Sequence, residues 1–150
     1  QAREPASDIK SWRRFLETIY SLDKQGRIAD LIANHREDVM TILSSPYLDR
    51  IFWQDPSEEA RQKTSDKAFI SSKWFVQERW LSLLDLMMHR IYVLRCQCIH
   101  GAATYQSNEN REVIYHCQRM LGRVLEAVLL IWIDDEAMQD WGPLCYPPVS

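Results

Sequence analysis

The chain has 150 residues, 46% hydrophobic and 26% charged, with a formal net charge of -3. That is enough apolar material for one core and one domain over 1–150, and the balance of charge carries no global sign of nucleic-acid binding. The most apolar run, 124–133, is about half the length a bilayer requires and is interrupted by Glu126, so no membrane span is expected.

In chain order, Ser7 reads as the cap of a first helix whose stripe is Ile9, Trp12, Leu16, Ile19 and Leu22, ending near Gln25 and Gly26. A second helix follows with Ile28, Leu31, His35, Val39 and Ile42 on one side. It stops at Ser44-Ser45-Pro46, because proline disfavours helical geometry in the residue before it. Residues 47–53 read as a short apolar helix or turn. Residues 54–67 are polar and read as a connector holding at most a short helix capped by Ser57.

A long helix is expected over 72–98, with Leu84, Met88, Ile91, Arg95 and Cys98 down one side and Trp80, Leu83, Met87 and Leu94 beside them. After a loop, Ser107 or Asn108 caps a last helix with the stripe Val113, Cys117, Met120, Val124, Val128 and Ile131. Residues 143–150 read as an irregular tail. No strand pattern competes, so an all-α bundle of about four to six helices is expected.

Four cysteines at 96, 98, 117 and 145 are too few and too unevenly placed for a disulfide scaffold in a chain that can build its own core. Reduced thiols and a cytoplasmic location are expected. The sequence opens at Gln1 without a signal pattern and reads as a piece of a longer protein.

Charge is unevenly distributed. Between residues 79 and 123 stand six cations, all arginine, against Asp85, Glu109 and Glu112, and from 124 onward five acids stand without a cation. An arginine-only patch suits bidentate phosphate contact, and equally a solvated helix surface. Arg119 and Arg123, one turn apart, either extend a phosphate-binding surface or are helix surface.

The most telling stretch is Tyr92-Val-Leu-Arg95-Cys96-Gln97-Cys98-Ile-His100-Gly101. Residues five apart on an unbroken helix diverge by about 140°, so Arg95 and His100 reach one phosphate only if the helix ends between them. Gly101 suits that ending, since glycine takes the left-handed conformation without steric cost. Arg95 falls within an apolar stripe, where an unpaired guanidinium is costly to bury, so it reaches solvent, a ligand or an acid such as Glu109 or Glu112. His100 is the best general base in the chain, with an ordinary pKa near neutrality.

Cys96, Cys98 and His100 alternate, but residues two apart on a helix diverge by about 200° and cannot converge on one ion, so no metal site and no cofactor are expected. His35 and His89 read as structural, and His116 as an outside candidate for lining the cleft. The six tryptophans read mostly as core, with Trp141 expected to pack on another surface.

Arg95 to His100, then Gly101-Ala-Ala-Thr104-Tyr105 and Asn110-Arg111 opening another helix, resembles the HEPN superfamily, in particular its Apea-like branch. The motif-bearing part covers about 72–134. The resemblance implies an all-α bundle that pairs as a homodimer and, in many members, a metal-independent ribonuclease in a defence or toxin system. Arg95 and His100 would then be catalytic, with RNA as partner and Gln97, Thr104, Arg119 and Arg123 against the substrate. Cys96 departs from the family pattern, which most often has Asn there. It is the position that separates an active nuclease from a silent RNA-binding, nucleotide-binding or dimerisation module.

Overall fold

The computed structural model describes residues 5–48, 58–99 and 108–135, and every regular element among them is helical. Helix α1 spans Pro5–Leu22, α2 Arg27–Asn34, α3 Arg36–Ser44, α4 Glu58–Val76, α5 Trp80–Ile99 and α6 Asn108–Asp135, with a 3-10 turn at Pro46–Leu48. The all-α expectation holds. No helix is long and apolar enough to cross a membrane among the described residues.

Helix α5 is the axis of the bundle. It packs against each of the other five helices and the 3-10 turn, while α6 covers α1, α2 and α3. Spacings of three and four place Leu83, Leu84, Met87, Met88 and Ile91 of α5 inside, meeting Leu16 and Ile19 of α1, Ile28 and Ile32 of α2, Val39, Ile42 and Leu43 of α3, and Met120 and Ile131 of α6. Each such side chain contributes about 1.5–3 kcal/mol when buried, and this offsets the entropy of ordering the chain.

The loop before α2 is closed by one carboxylate. Asp23 accepts hydrogen bonds from the backbone N–H groups of Arg27 at 2.9 Å and Ile28 at 2.8 Å, which have no partner within the helix. Gly26, at φ 68°, makes the left-handed step into the helix. The Arg27 guanidinium then reaches Asp134, tying the start of α2 to the end of α6.

Four boundaries differ from the sequence reading. Ser7 lies within α1, which begins at Pro5, and so is not its cap. The helix expected through His35 is two helices. His35 sits at φ -118° and ψ 35°, and its Nδ1–H donates to the Leu31 carbonyl at 2.9 Å, competing with the backbone ladder.

From Glu58 onward the polar stretch read as a connector belongs to the 19-residue helix α4, and 54–57 lie outside the described residues. Glu58 and Glu59 in its first turn match the positive end of the helix, and Lys63 pairs with Glu59 at 3.6 Å one turn on.

Finally, the helix expected over 72–98 is broken between Val76 and Trp80. Glu78 adopts a left-handed φ of 54°, Arg79 N donates to Trp74 O at 2.9 Å and Glu78 N to Phe75 O at 3.2 Å. This is the paired closure of a helix C-terminus, made here without the glycine that usually signals it.

Candidate nucleic-acid interface

Two arginines five residues apart on α5 have opposite environments. Arg90 is 2% exposed and donates from Nη1 to the carbonyls of Ser45 at 2.7 Å and Ile42 at 3.4 Å, where α3 ends. The Ser45 carbonyl otherwise accepts only the Leu48 N–H of the 3-10 turn, at 3.4 Å, and Pro46 has no N–H to offer Ile42, so Arg90 closes the C-terminus of α3. Arg95, in the penultimate turn of α5, is exposed and has no hydrogen-bond or ion-pair partner among the described residues. Glu112, one acid considered for it, lies 4.0 Å from His116 Nε2 instead.

The neighbours of Arg95 are less available. Gln97 donates from Nε2 to the Tyr47 carbonyl at 2.8 Å, so that amide serves to hold the 3-10 turn against α5. Cys96 is half-buried and Cys98 exposed, both as free thiols. His100, Gly101 and Thr104 lie outside the described residues, as do the carboxylate of Glu109, Ser57, Ser107, Cys145, Trp141 and the tail at 143–150.

Arg95 stands at one end of a cleft of about 470 Å³ between α1, α5 and α6. Ile9 and Trp12 of α1, Met88, Ile91 and Tyr92 of α5 and Leu121 of α6 give it apolar walls. Arg13 and Asp85, also in the lining, pair at 3.3 Å across the interface of α1 and α5. His89 lines the cleft between them and Arg95. Burial lowers its pKa, with Arg13, Arg90 and Lys67 adding to the effect and Asp85 opposing it, so its imidazole is neutral at pH 7.

Arg119 and Arg123 are not at this cleft. Arg119 Nε lies 3.5 Å from Asp38 Oδ2 and its Nη1 donates to the Tyr115 hydroxyl at 3.4 Å, while Arg123 pairs with Glu126 at 3.7 Å. Tyr115 first, and then Asp38, raise the Arg119 pKa above its ordinary value. Asp38 is the centre of a second cluster: it is buried, and its other oxygen accepts the His116 Nδ1–H at 2.6 Å. Both Asp38 oxygens are engaged, which ties α3 to α6 and gives His116 a structural task.

Burial pushes the nearby Cys117 thiol up to about 12, keeping it protonated and inert. Among the described residues there is no group of three or more His, Cys, Asp or Glu side chains able to hold a metal ion.

The sequence reading missed Arg90, Asp38, Trp12, Arg13 and Tyr92. For Arg90 the available signal was its place three residues after Met87 and seven after Leu83, inside the buried stripe. Asp38 and His116 are 78 residues apart, and nothing local joins them. A comparison with protein-family models finds no match, and neither curated proteins nor solved structures yield one.

Proposed function

We propose that the chain is a HEPN-like domain that binds RNA and cleaves it without a metal, with Arg95 holding the scissile phosphate and His100 moving the proton. The observation that carries this reading is Arg95 itself: an exposed guanidinium, unpaired among the described residues, near the end of a helix whose other arginine at this level is spent on the fold. His100 takes the proton of a ribose 2′-hydroxyl, the oxygen attacks phosphorus, and the 5′-oxygen leaves with a proton, giving a 2′,3′-cyclic phosphate. Arg95 stabilises the charge on the phosphoryl oxygens, a task its planar fork suits. A role in a defence or toxin system, within the cytoplasm, is part of this proposal.

Homodimerisation is proposed with it. Helix α6 carries a second apolar stripe beside its buried one: Ile114, Leu121, Leu125, Leu129 and Trp132 are exposed at helical spacing, with Leu125 at 57% and Leu129 at 53%. A stripe this long on one helix suits a two-fold contact with a second copy, which would bring two Arg95–His100 motifs together. The same stripe supports the second reading, a silent dimerisation module.

Incubation of the purified protein with mixed RNA in excess chelator separates the two. Cleavage that disappears in Arg95→Ala and His100→Ala is the expected result. Intact RNA with the parent protein at micromolar concentration, dimer or not, refutes the nuclease.

A further inference from the structure

We propose that the cleft between α1, α5 and α6 is a nucleobase site, seating the base of the nucleotide whose phosphate meets Arg95. It rests on the reading of Arg95 as a phosphate ligand and adds what that reading lacks, a means of gripping and selecting the base.

Three features of the cleft fix the chemistry of its occupant. First, its cation is available: Arg95 has no partner among the described residues, whereas Arg13 at the other end is paired with Asp85. A ligand therefore carries its anionic group at the Arg95 end only. Secondly, two aromatic side chains line the intervening space, Trp12 from α1 and Tyr92 from α5. Trp12 is 37% exposed; Phe15 lies against its ring in a stacked arrangement at 5.9 Å, and the exposed part of the indole is open to a planar partner. Aromatic side chains beside a cation are how single-stranded nucleic acid is held, by stacking that any base can make.

Thirdly, the lining is not purely aliphatic. His89 is part of it, and its neutral imidazole presents one donor and one acceptor, while the Asp85 carboxylate is engaged by Arg13. A fatty acyl chain ending in a carboxylate would satisfy Arg95 but leave the imidazole facing methylenes. A base has ring nitrogens and exocyclic groups for it.

Dimensions agree. Asp85, His89, Tyr92 and Arg95 follow at helical spacing on one side of α5, so the cleft runs about 15 Å along that helix at 1.5 Å per residue. A volume of about 470 Å³ lies within the range of small-molecule sites, roughly 300–1,000 Å³.

The test is calorimetric titration of the full chain with adenosine 3′-monophosphate, uridine 3′-monophosphate, inorganic phosphate and dodecanoate, using the parent, Trp12→Phe, Trp12→Ala and Arg95→Ala, each checked for helicity. At least one nucleotide is expected to bind about tenfold or more tighter than phosphate. Trp12→Ala should remove that margin, Trp12→Phe keep most of it, and Arg95→Ala weaken nucleotide and phosphate alike. Equal binding of nucleotides and phosphate overturns the proposal, as does a Trp12→Ala variant with parental nucleotide affinity. Dodecanoate binding tighter than both nucleotides overturns it in favour of an amphiphile, and nucleotide affinity that falls as the protein dimerises overturns it in favour of a second copy.

Cleavage is read separately on the same proteins. Nucleotide binding that needs Trp12, with RNA left intact, sinks the nuclease and keeps the base site. RNA cut with the same base preference by the parent and Trp12→Ala sinks the base site and keeps the nuclease.

Discussion

Arg90→Ala and Arg95→Ala remove the same side chain from positions five residues apart on α5, and their effects should be opposite in kind. At Arg90 the substitution deletes a buried guanidinium, removes its donors to Ser45 at 2.7 Å and Ile42 at 3.4 Å, and leaves the Ser45 carbonyl only the long contact from Leu48 N–H at 3.4 Å. A hydrogen bond to a charged group is worth about 1.5–3 kcal/mol, and the longer contact contributes little. The side-chain stem also leaves a void in the packing beside Ile91. Together these give a loss of about 3–4 kcal/mol, a large share of the 5–15 kcal/mol typical of a domain.

Arg90→Met fills the void and relieves the cost of burying a charge, so its loss should be about half as large. Arg95→Ala, at an exposed site with no partner among the described residues, should change stability by less than about 0.5 kcal/mol while abolishing RNA cleavage. Urea denaturation followed by circular dichroism, beside the cleavage assay, measures both. An Arg90→Ala variant as stable as the parent would refute the assignment of Arg90 as the closure of α3, and an Arg95→Ala variant that unfolds readily would refute the separation of the two roles.

Four further outcomes are expected. Asp38→Asn and His116→Ala should each cost about 1–3 kcal/mol and couple strongly in a double-mutant cycle, because they share the charge-assisted contact between α3 and α6; additive losses would contradict this. Cys96→Asn should raise RNA cleavage, since a thiol is a weak donor and acceptor where the resembling family most often has an amide, and slower cleavage would show that account of the position to be wrong. Burial lowers the folded pKa of His89, so the unfolded chain binds the extra proton more readily and His89 contributes stability present above its ordinary value of 6.5 and lost as pH falls below it. His89→Gln should therefore lose less stability between pH 7.5 and 5 than the parent, and identical profiles would count against it. Leu125→Glu with Leu129→Glu should give a monomer by light scattering at tens of micromolar where the parent is a dimer, whereas a parent already monomeric removes the α6 contact from consideration.

Helical class and most of the core were legible because they depend on spacing. Apolar residues at three and four put Leu16 and Ile19, Leu83 and Met87, and Val113, Cys117 and Met120 on buried faces, and the structure buries them. The breaks were less legible, since they depend on backbone turns made by ordinary residues. Glu78 closes α4 in a left-handed conformation that sequence habit assigns to glycine, and His35 splits α2 from α3 through a side-chain bond to a carbonyl. Arg95 stood out as a charge in an apolar stripe that had to find water or a partner. That Arg90 is the buried arginine and Arg95 the exposed one was decided only by where α3 ends against α5. Asp38 and His116 likewise meet only because α3 and α6 pack together, and a contact across 78 residues of chain leaves no trace in local periodicity. Spacing reports which face of a helix is apolar; only the packing of one helix on another decides which polar groups on that face are satisfied by the fold and which stay free for a ligand.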